Sequence, residues 1–299
     1  MIIHHWDTDG ICSAALLKTV KRDELFVPEN FFLTEKEKNY IEKRNPEWIY
    51  LVDIALPEKD INFLESISDL CIFDHHRRKE KKKSFYIDEN SPSTTFIIKN
   101  HYRLKEDLLT VLGAVGDKEE KILETEYRND VEKVMKRYDI EFEQLLKITK
   151  LLDSNYVIND FKAVKESVDF VFRNKNNPEA ILYNKKLNEN LKKIEEKIES
   201  NLNYNIEKNF VLCEINTEYR IISRIARILF KEYSDKNILV INRKTRNIYV
   251  RSKKDLSFLI EDAKKNYYAG GKKDVCGIIL PEREMDSYIE KIKYMMEVI

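Results

Sequence analysis

The chain has 299 residues, enough for one large domain or two smaller ones, and 42% of them are hydrophobic, which is a globular rather than a disordered composition. The 53 basic side chains balance the 53 acidic ones, which argues against a uniformly basic nucleic-acid coat but allows a local basic patch. The four cysteines are scattered, so we expect neither disulfides nor a thiolate zinc site, and a cytoplasmic location. We also expect no signal peptide and no membrane partner, because no apolar stretch is long enough.

The first 117 residues alternate between strand-like and helix-like segments. Apolar runs at residues 1–3, 47–52 and 70–73 predict buried strands, and each is followed by histidine or aspartate. Asp9-Gly10 predicts a turn before a helix at residues 11–21. Strands separated by helix-length segments predict a parallel sheet with helices on both faces, and ligands bind such sheets at the carboxyl ends of the strands. We therefore expect His5, Asp53 and Asp74 to meet at one edge.

The rest of the chain predicts a helical connector and a smaller domain. We expect an α/β fold with a catalytic domain at residues 1–185, a connecting helix at 186–207, and a C-terminal α/β domain with a mixed sheet at 208–299, with a cleft between the two domains. Residues 237–242 and 247–252 predict a hairpin-like pair of strands. Glycines at 270, 271 and 277 predict loops.

The side chains that could bind a metal ion or take part in catalysis cluster by type at the predicted strand ends. They are His5, Asp7, Asp9, Asp53, Asp74, His75, His76 and Asp117, the last of these after a predicted loop at 113–116. A single acidic residue or histidine at a strand end is usually a cap or a surface group, but four of the five histidines fall within two short motifs. Mixed carboxylate and imidazole ligation suits Mn²⁺ or Mg²⁺. Two ions about 3.5–4 Å apart share a carboxylate, for which Asp53 is the natural candidate.

This order of residues resembles the motifs of the DHH phosphoesterase superfamily, which includes RecJ-type exonucleases, nanoRNases, cyclic-dinucleotide phosphodiesterases and family II pyrophosphatases. Near the other end, Arg251-Ser252 and the segment 269–277 resemble the DHH-associated substrate domain. The size and layout are most similar to archaeal RecJ-like exonucleases. The resemblance covers both ends of the chain, and the helical middle is covered by analogy alone.

The resemblance implies two divalent cations, with Mn²⁺ preferred and Mg²⁺ as the alternative. One ion would be held by His5, Asp7 and Asp53, and the other by Asp9, Asp53, His75 and Asp117. Asp74 would orient a histidine, and His76 would contact the substrate phosphate. In many relatives the first histidine stands four residues before the D-x-D motif, whereas His5 stands two before it, so His4 and His5 both remain candidates.

The resemblance also implies substrate contacts in the C-terminal domain, from Arg251, Ser252, Gly270, Gly271 and Lys272. The family loop usually reads Gly-Gly-Gly-His, and here Ala269 and Lys272 replace its first and last residues. Lysine keeps a cation for a phosphate but does not titrate near neutrality. Substrate length and end preference are therefore left open.

Two further segments allow a functional and a structural interpretation. The basic run at residues 77–83 either attracts a nucleic-acid backbone or is a solvated loop. Residues 91–95 either simply cap a helix predicted from Phe96 or also present N–H groups to an anion.

The resemblance implies three functions. The first is an exonuclease on single-stranded DNA or RNA. The second is a phosphodiesterase for very short oligonucleotides or cyclic dinucleotides, or a 3′-phosphoadenosine-phosphate phosphatase. The third is a scaffold with residual activity and a replication or repair protein as partner. A pyrophosphatase is disfavoured, because it would need a different, more basic C-terminal domain.

Overall fold

A computed structural model describes residues 1–78 and 82–298 of the chain. Part of the predicted basic run, Lys79 to Lys81, lies outside these residues. The chain forms two compact units. The first comprises residues 1–156 and 160–191, and the second comprises residues 157–159 and 192–299.

The first unit contains a five-stranded sheet. Its strands are β1 (Ile2–His4), β2 (Leu25–Phe26), β3 (Trp48–Val52), β4 (Asp69–Asp74) and β5 (Phe85–Ile87). They lie in the order β2-β1-β3-β4-β5, and every neighbouring pair is parallel, which confirms the predicted sheet. β3 and β4 are buried along their length except at the first residue, so both faces of the sheet are covered.

Helices surround this sheet and continue into the middle of the chain. They are α1 (Thr8–Leu17), α2 (Glu35–Arg44), α3 (Glu58–Ile67), α4 (Thr94–Tyr102), α5 (Leu108–Lys118), α6 (Arg128–Tyr138), α7 (Phe142–Val157), α8 (Phe161–Arg173), α9 (Pro178–Leu182) and α10 (Lys185–Asn201), with a 3-10 helix at Glu119–Glu124. Every residue of α1 is buried, and this helix packs against α4, α5 and α8. α1 therefore lies at the centre of the first unit.

The second unit contains a six-stranded mixed sheet with its own apolar core. Its elements are β6 (Tyr204–Ile206), β7 (Phe210–Ile215), α11 (Ile222–Glu232), β8 (Asn237–Asn242), β9 (Asn247–Arg251), α12 (Ser257–Ala263), β10 (Tyr268–Lys272), β11 (Val275–Ile279) and α13 (Glu282–Val298). The order is β10-β11-β9-β8-β7-β6, in which β7 and β8 are parallel and all other pairs are antiparallel. The predicted pairing of β8 with β9 is confirmed. Among the described residues, every helix is too short or too polar to cross a bilayer.

The predicted turn at Asp9-Gly10 and the predicted loop at 113–116 were wrong. Asp9 and Gly10 lie in the first turn of α1, because the Asp7 carboxylate accepts a hydrogen bond from the Gly10 N–H at 3.1 Å and so starts the helix earlier. The segment 113–116 lies inside α5. A side chain at Gly113 would place Cβ 2.4 Å from Asp9 Oδ1, so glycine is needed there for close packing against α1.

The glycines predicted to form loops in the second unit instead lie in strands. Gly270 and Gly271 belong to β10, at the edge of the sheet, and Gly277 belongs to β11. Gly271 has φ 155°, and a Cβ atom there would lie 2.0 Å from the Val275 carbonyl oxygen. Here glycine permits a close approach of two paired strands rather than a turn.

Candidate metal centre

Histidine and aspartate side chains gather at the carboxyl ends of three neighbouring strands. His5 follows β1, Asp53 follows β3, and His75 follows β4. Asp53 adopts a left-handed backbone conformation with φ 58°. Aspartate adopts this conformation more readily than most residues other than glycine. The sheet edge therefore holds the side chains that the sequence predicted there.

Three groups of ligand atoms in this region are compact enough for a metal ion, since all atoms of a group lie within 4.8 Å of one another. The groups are His5, Asp7 and Asp53; Asp9, His75 and Asp117; and Asp53, His75 and His76. The structure therefore brings together all six predicted ligands and also His76. Asp53 occurs in two groups, as a carboxylate shared between two ions would.

His4, the last residue of β1, and His5, which follows it, have different surroundings. The His5 Nδ1 atom lies 2.8 Å from Asp7 Oδ1 and 3.8 Å from Asp53 Oδ2. The His4 ring is fully buried, and its Nδ1 atom lies 2.6 Å from the His5 carbonyl oxygen. Burial lowers the pKa of His4 to about 4. Within residues 1–78 and 82–298, the groups of candidate ligands include His5 and not His4, so the geometry favours His5.

Asp9 is held at the amino end of α4. Its carboxylate accepts hydrogen bonds from the Thr94 N–H at 2.7 Å and the Thr95 N–H at 3.2 Å. The anion at this helix end is therefore the Asp9 carboxylate itself. The helix starts at Thr94, two residues earlier than predicted, and its N-cap residue Ser93 makes no side-chain capping bond. Burial and the nearby Asp117 charge raise the pKa of Asp9 to about 6.

Asp53 is almost completely buried among other acidic groups. Its Oδ1 atom accepts a hydrogen bond from the Thr94 hydroxyl at 2.9 Å and lies 3.5 Å from His75 Nε2. Burial, followed by the charges of Asp9 and Asp7, raises the pKa of Asp53 well above its ordinary value. Each of these effects disfavours a negative charge, so an ionised Asp53 needs cationic partners.

Histidines balance part of this negative charge. Burial opposes the ionisation of Asp7, but the charge and hydrogen bond of His5 outweigh burial and lower the pKa of Asp7 to about 2. Burial would lower the pKa of His75, but its hydrogen bond with Asp117, at 2.9 Å, and the charge of Asp9 raise that pKa to about 9. The donor set is thus oxygen-rich, buried and crowded with carboxylates, which fits divalent cations such as Mn²⁺ or Mg²⁺.

Asp74 and His76 form a pair beside this cluster. The Asp74 Oδ1 atom lies 2.7 Å from His76 Nδ1 and also accepts a hydrogen bond from the His76 N–H at 3.0 Å. Asp74 is buried, whereas the His76 side chain is 42% exposed. The histidine that Asp74 orients is therefore His76.

Sequence reasoning missed two residues that support the cluster. One is Thr94, which the sequence marks only within the capping segment 91–95 and whose hydroxyl contacts Asp53 as described above. The other is Asp153 of α7, whose Oδ1 atom accepts hydrogen bonds from the Thr8 N–H at 2.9 Å and the Thr8 hydroxyl at 2.7 Å. Thr8 stands between Asp7 and Asp9, so Asp153 fixes the backbone that carries both. No local signal marks Asp153, because 145 residues separate it from Thr8.

In the second unit, Arg251 and Lys272 share one face of the sheet. Both are aligned with Val275 of the strand between them, and directly opposed residues project to the same side. The Arg251 guanidinium carbon lies 5.4 Å from the centre of the Phe230 ring, and one of its nitrogens lies 3.3 Å from Asp274 Oδ2. Its Nε atom is buried without a hydrogen-bond partner among the described residues, which leaves a donor for a ligand.

The other predicted substrate contacts differ in exposure. Gly270, Gly271 and Lys272 are exposed along the edge strand. Ser252 is buried, and its hydroxyl donates to Asn237 Oδ1 at 2.7 Å and accepts from the Lys254 N–H at 3.0 Å. Ser252 therefore stabilises the end of β9, and its hydroxyl is already engaged inside the unit.

Comparison with known proteins agrees with this geometry. Residues 1–127 match the model of the DHH family, N-terminal domain. None of the curated proteins matches the chain.

Solved structures match nearly the whole chain. An exonuclease RecJ bound to manganese is 12% identical, with a TM-score of 0.73, 98% of this chain covered and 89% of that one. RecJ in complex with Mn²⁺ from Thermus thermophilus is 11% identical, with a TM-score of 0.72, all of this chain covered and 52% of that one, so the chain spans about half of that protein. The DHH domain of a member of the s1p family of ribosomal proteins is 15% identical, with a TM-score of 0.72, 99% of this chain covered and 85% of that one.

At such identities a structural likeness shows the fold alone, whereas the family match bears on the residues of the site. The matched segment, residues 1–127, contains all six predicted ligands as well as Asp74 and His76. Residues 1–127 therefore match the N-terminal domain of the DHH family, and the fold of the chain is that of the RecJ and DHH-domain structures.

Proposed function

We propose that this chain is a metal-dependent phosphodiesterase that degrades single-stranded DNA or RNA as an exonuclease, in the manner of RecJ. The proposal is carried by the convergence of two histidines and four aspartates at one sheet edge, with Asp53 shared between two groups of ligand atoms. The likeness in fold to RecJ structures in complex with Mn²⁺ and Mg²⁺ supports the same chemistry.

The ligand groups contain the set expected for one ion and, without Asp53, the set expected for the other, and the family resemblance supplies the assignment to two cations. His5, Asp7 and Asp53 would bind one ion, and Asp9, Asp53, His75 and Asp117 would bind the other, with Mn²⁺ preferred and Mg²⁺ as the alternative. When bound, such ions activate water as a nucleophile at neutral pH and neutralise charge on the phosphoryl group. The protein's part is to hold the carboxylates in place, through the N–H groups of α4 at Asp9 and through the Thr94 hydroxyl at Asp53.

Other side chains would bind the substrate. Asp74 engages His76 at Nδ1, which leaves Nε2 as the nitrogen available to donate a hydrogen bond to a phosphate oxygen. Arg251 and Lys272 would bind a phosphate elsewhere on the substrate, and Gly270 and Gly271 would let the backbone approach it. Ser252 is left out of this set of contacts, because its hydroxyl is already hydrogen-bonded inside the second unit.

A degradation assay on labelled single strands tests this proposal. DNA and RNA of graded length, labelled at the 5′ or the 3′ end, are incubated with Mn²⁺, with Mg²⁺ or with a chelator. We expect stepwise shortening from one end that needs the metal and is abolished in Asp53→Asn. Cleavage confined to dinucleotides through pentanucleotides, or to cyclic dinucleotides or 3′-phosphoadenosine phosphate, would replace the exonuclease by the small-substrate alternative. No cleavage of any of them would remove the proposed function.

A further inference from the structure

An exposed aromatic ring lies beside the candidate metal centre. Phe31 is 56% exposed. Its ring centre lies 5.7 Å from that of His5 and 4.8 Å from that of Trp6. Phe31 therefore contacts one of the candidate metal ligands while presenting an apolar surface to solvent.

A buried tryptophan and a half-buried tyrosine support Phe31 from behind. Trp6 is only 1% exposed and meets the edge of the Phe31 ring at an interplanar angle of 66°. Trp6 is in turn stacked on Tyr156 of α7, with ring centres 5.0 Å apart. Because these rings are packed in the first unit, they restrict the positions that the Phe31 ring can take.

The loop that carries Phe31 is fixed on both sides. Before it, the Glu29 N–H donates to Glu37 Oε1 at 2.9 Å. After it, the Leu33 N–H donates to Asp60 Oδ2 at 2.9 Å, and the fully buried Asp60 is paired with Lys38 at 3.1 Å. A short segment anchored in this way holds an exposed phenylalanine in a defined place at the rim of the site. Pre-organised aromatic surfaces of this kind lose little entropy when they bind a flat ligand.

We propose that Phe31 is a stacking platform for the nucleobase next to the phosphate that is cut, an inference that rests on the proposed function. A phenyl ring offers a flat face without hydrogen-bonding groups, so it stacks on any base and discriminates poorly among sequences. The platform narrows the substrate class to nucleotides, because inorganic polyphosphate and pyrophosphate have no ring to stack. It also explains why the ring stays exposed beside charged ligands instead of packing into the core.

Substitutions that separate aromaticity from apolar bulk test the platform. Phe31→Leu keeps an apolar side chain but removes the ring, Phe31→Ala removes both, and Phe31→Trp enlarges the ring. Each variant is assayed on a single strand with ordinary bases and on a matched strand whose terminal nucleotide lacks its base. Thermal unfolding and Mn²⁺ uptake serve as controls for folding and for the metal centre.

We expect Phe31→Ala and Phe31→Leu to raise KM for the ordinary strand about tenfold, since one stacked base typically accounts for an effect of this size or more. For the strand whose terminal nucleotide lacks its base, both kcat and KM should stay unchanged. Phe31→Trp should keep or lower KM. Equal effects on both substrates, or no effect of Phe31→Ala in an active enzyme, would overturn the platform.

A binding measurement separates this inference from the proposed function. A strand with 2-aminopurine at its end is mixed rapidly with the protein, and the quenching of fluorescence that accompanies stacking is recorded within the first turnover. Quenching by the wild type that is lost in Phe31→Leu supports the platform, even if the wild type cleaves nothing and the proposed function fails. Cleavage with quenching that is the same in all variants would leave the function standing and remove the platform, and absence of both quenching and cleavage would remove both.

Discussion

The carboxylate of Asp153 accepts two hydrogen bonds from Thr8, one from its backbone N–H at 2.9 Å and one from its hydroxyl at 2.7 Å. The Thr8 hydroxyl also lies 3.0 Å from the Thr149 carbonyl oxygen, so two residues of α7 hold the start of α1. Asp7 and Asp9 flank Thr8. α7 therefore determines where two candidate metal ligands stand.

We predict that Asp153→Ala lowers the affinity for Mn²⁺ about tenfold or more, as loss of a supporting partner does in other metal sites. Titration calorimetry measures the affinity, and urea unfolding should show a loss of about 1–3 kcal/mol for the Thr8 N–H, which loses its acceptor, whereas the Thr8 hydroxyl can still donate to the Thr149 carbonyl oxygen. Asp169→Ala is the matched control. Asp169 forms an ion pair with Lys18, the residue that follows α1 at its other end. Equal effects of the two substitutions on Mn²⁺ affinity would contradict a specific role for Asp153.

Asp53→Asn should stabilise the metal-free protein at neutral pH. The pKa of Asp53 is raised in the folded state, so the unfolded chain releases this proton at lower pH than the folded one. The wild type therefore loses stability as pH rises above the ordinary aspartate pKa of 3.8, and the amide avoids that loss. The Thr94 hydroxyl can still donate to the amide oxygen.

Urea unfolding in the presence of a chelator tests whether Asp53→Asn raises or lowers the free energy of unfolding. We expect Asp53→Asn to be more stable than the wild type by about 1 kcal/mol or more at pH 7.5, with the difference vanishing near pH 4. Saturating Mn²⁺ should reverse the order, because binding stabilises only the protein that holds the ion. A variant that is less stable than the wild type in the chelator at pH 7.5 would contradict the electrostatic account.

Asp74 and His76 should act as one unit. Asp74→Asn removes the charge that orients the His76 ring, and we expect kcat to fall about 10- to 100-fold with Mn²⁺ uptake little changed. His76→Ala should lower kcat at least as much, and the double variant should lose little more than His76→Ala alone, since coupled residues are not additive. Additive losses in this cycle would mean that Asp74 acts on another group.

A methyl group at residue 113 should damage the metal centre. In Gly113→Ala, the new Cβ would lie 2.4 Å from Asp9 Oδ1 and 2.5 Å from Thr95 Oγ1, so α5 or Asp9 must shift. We expect Mn²⁺ affinity to fall at least tenfold, although alanine alone favours a helix by about 1 kcal/mol. Gly116→Ala is the milder control, because its Cβ would lie 3.1 Å from the nearest atom, Thr8 Cβ. A gain in stability with unchanged Mn²⁺ affinity in Gly113→Ala would show that the contact is not tight.

Much of the first unit could be predicted because its strands are continuous apolar runs that end at His5, Asp53 and Asp74. Since parallel strands bring their carboxyl ends to one edge, the sequence also indicated which side chains would meet there. The errors arose where glycine has a packing role. Gly113 lies in a helix that approaches Asp9, and Gly271 lies in a strand that approaches Val275, and neither contact is visible in the local sequence.

Supporting residues could not be predicted for a different reason. Asp153 resembles any other polar residue at a helix position, and the sequence marks Thr94 only as part of a capping segment. Their roles depend on contacts with Thr8 and Asp53, far away in the chain. Ser252 illustrates the opposite case. Its neighbour Arg251 suggested a ligand contact, whereas the fold buries its hydroxyl against Asn237.

Calorimetric titration of the metal-free protein with Mn²⁺ tests the central claim most directly. We expect two ions to bind per chain in the wild type, and Asp53→Asn to lose at least one of them, because its carboxylate belongs to two groups of ligands. Absence of Mn²⁺ uptake by the folded wild type, or unchanged binding of both ions by Asp53→Asn, would contradict the metal centre.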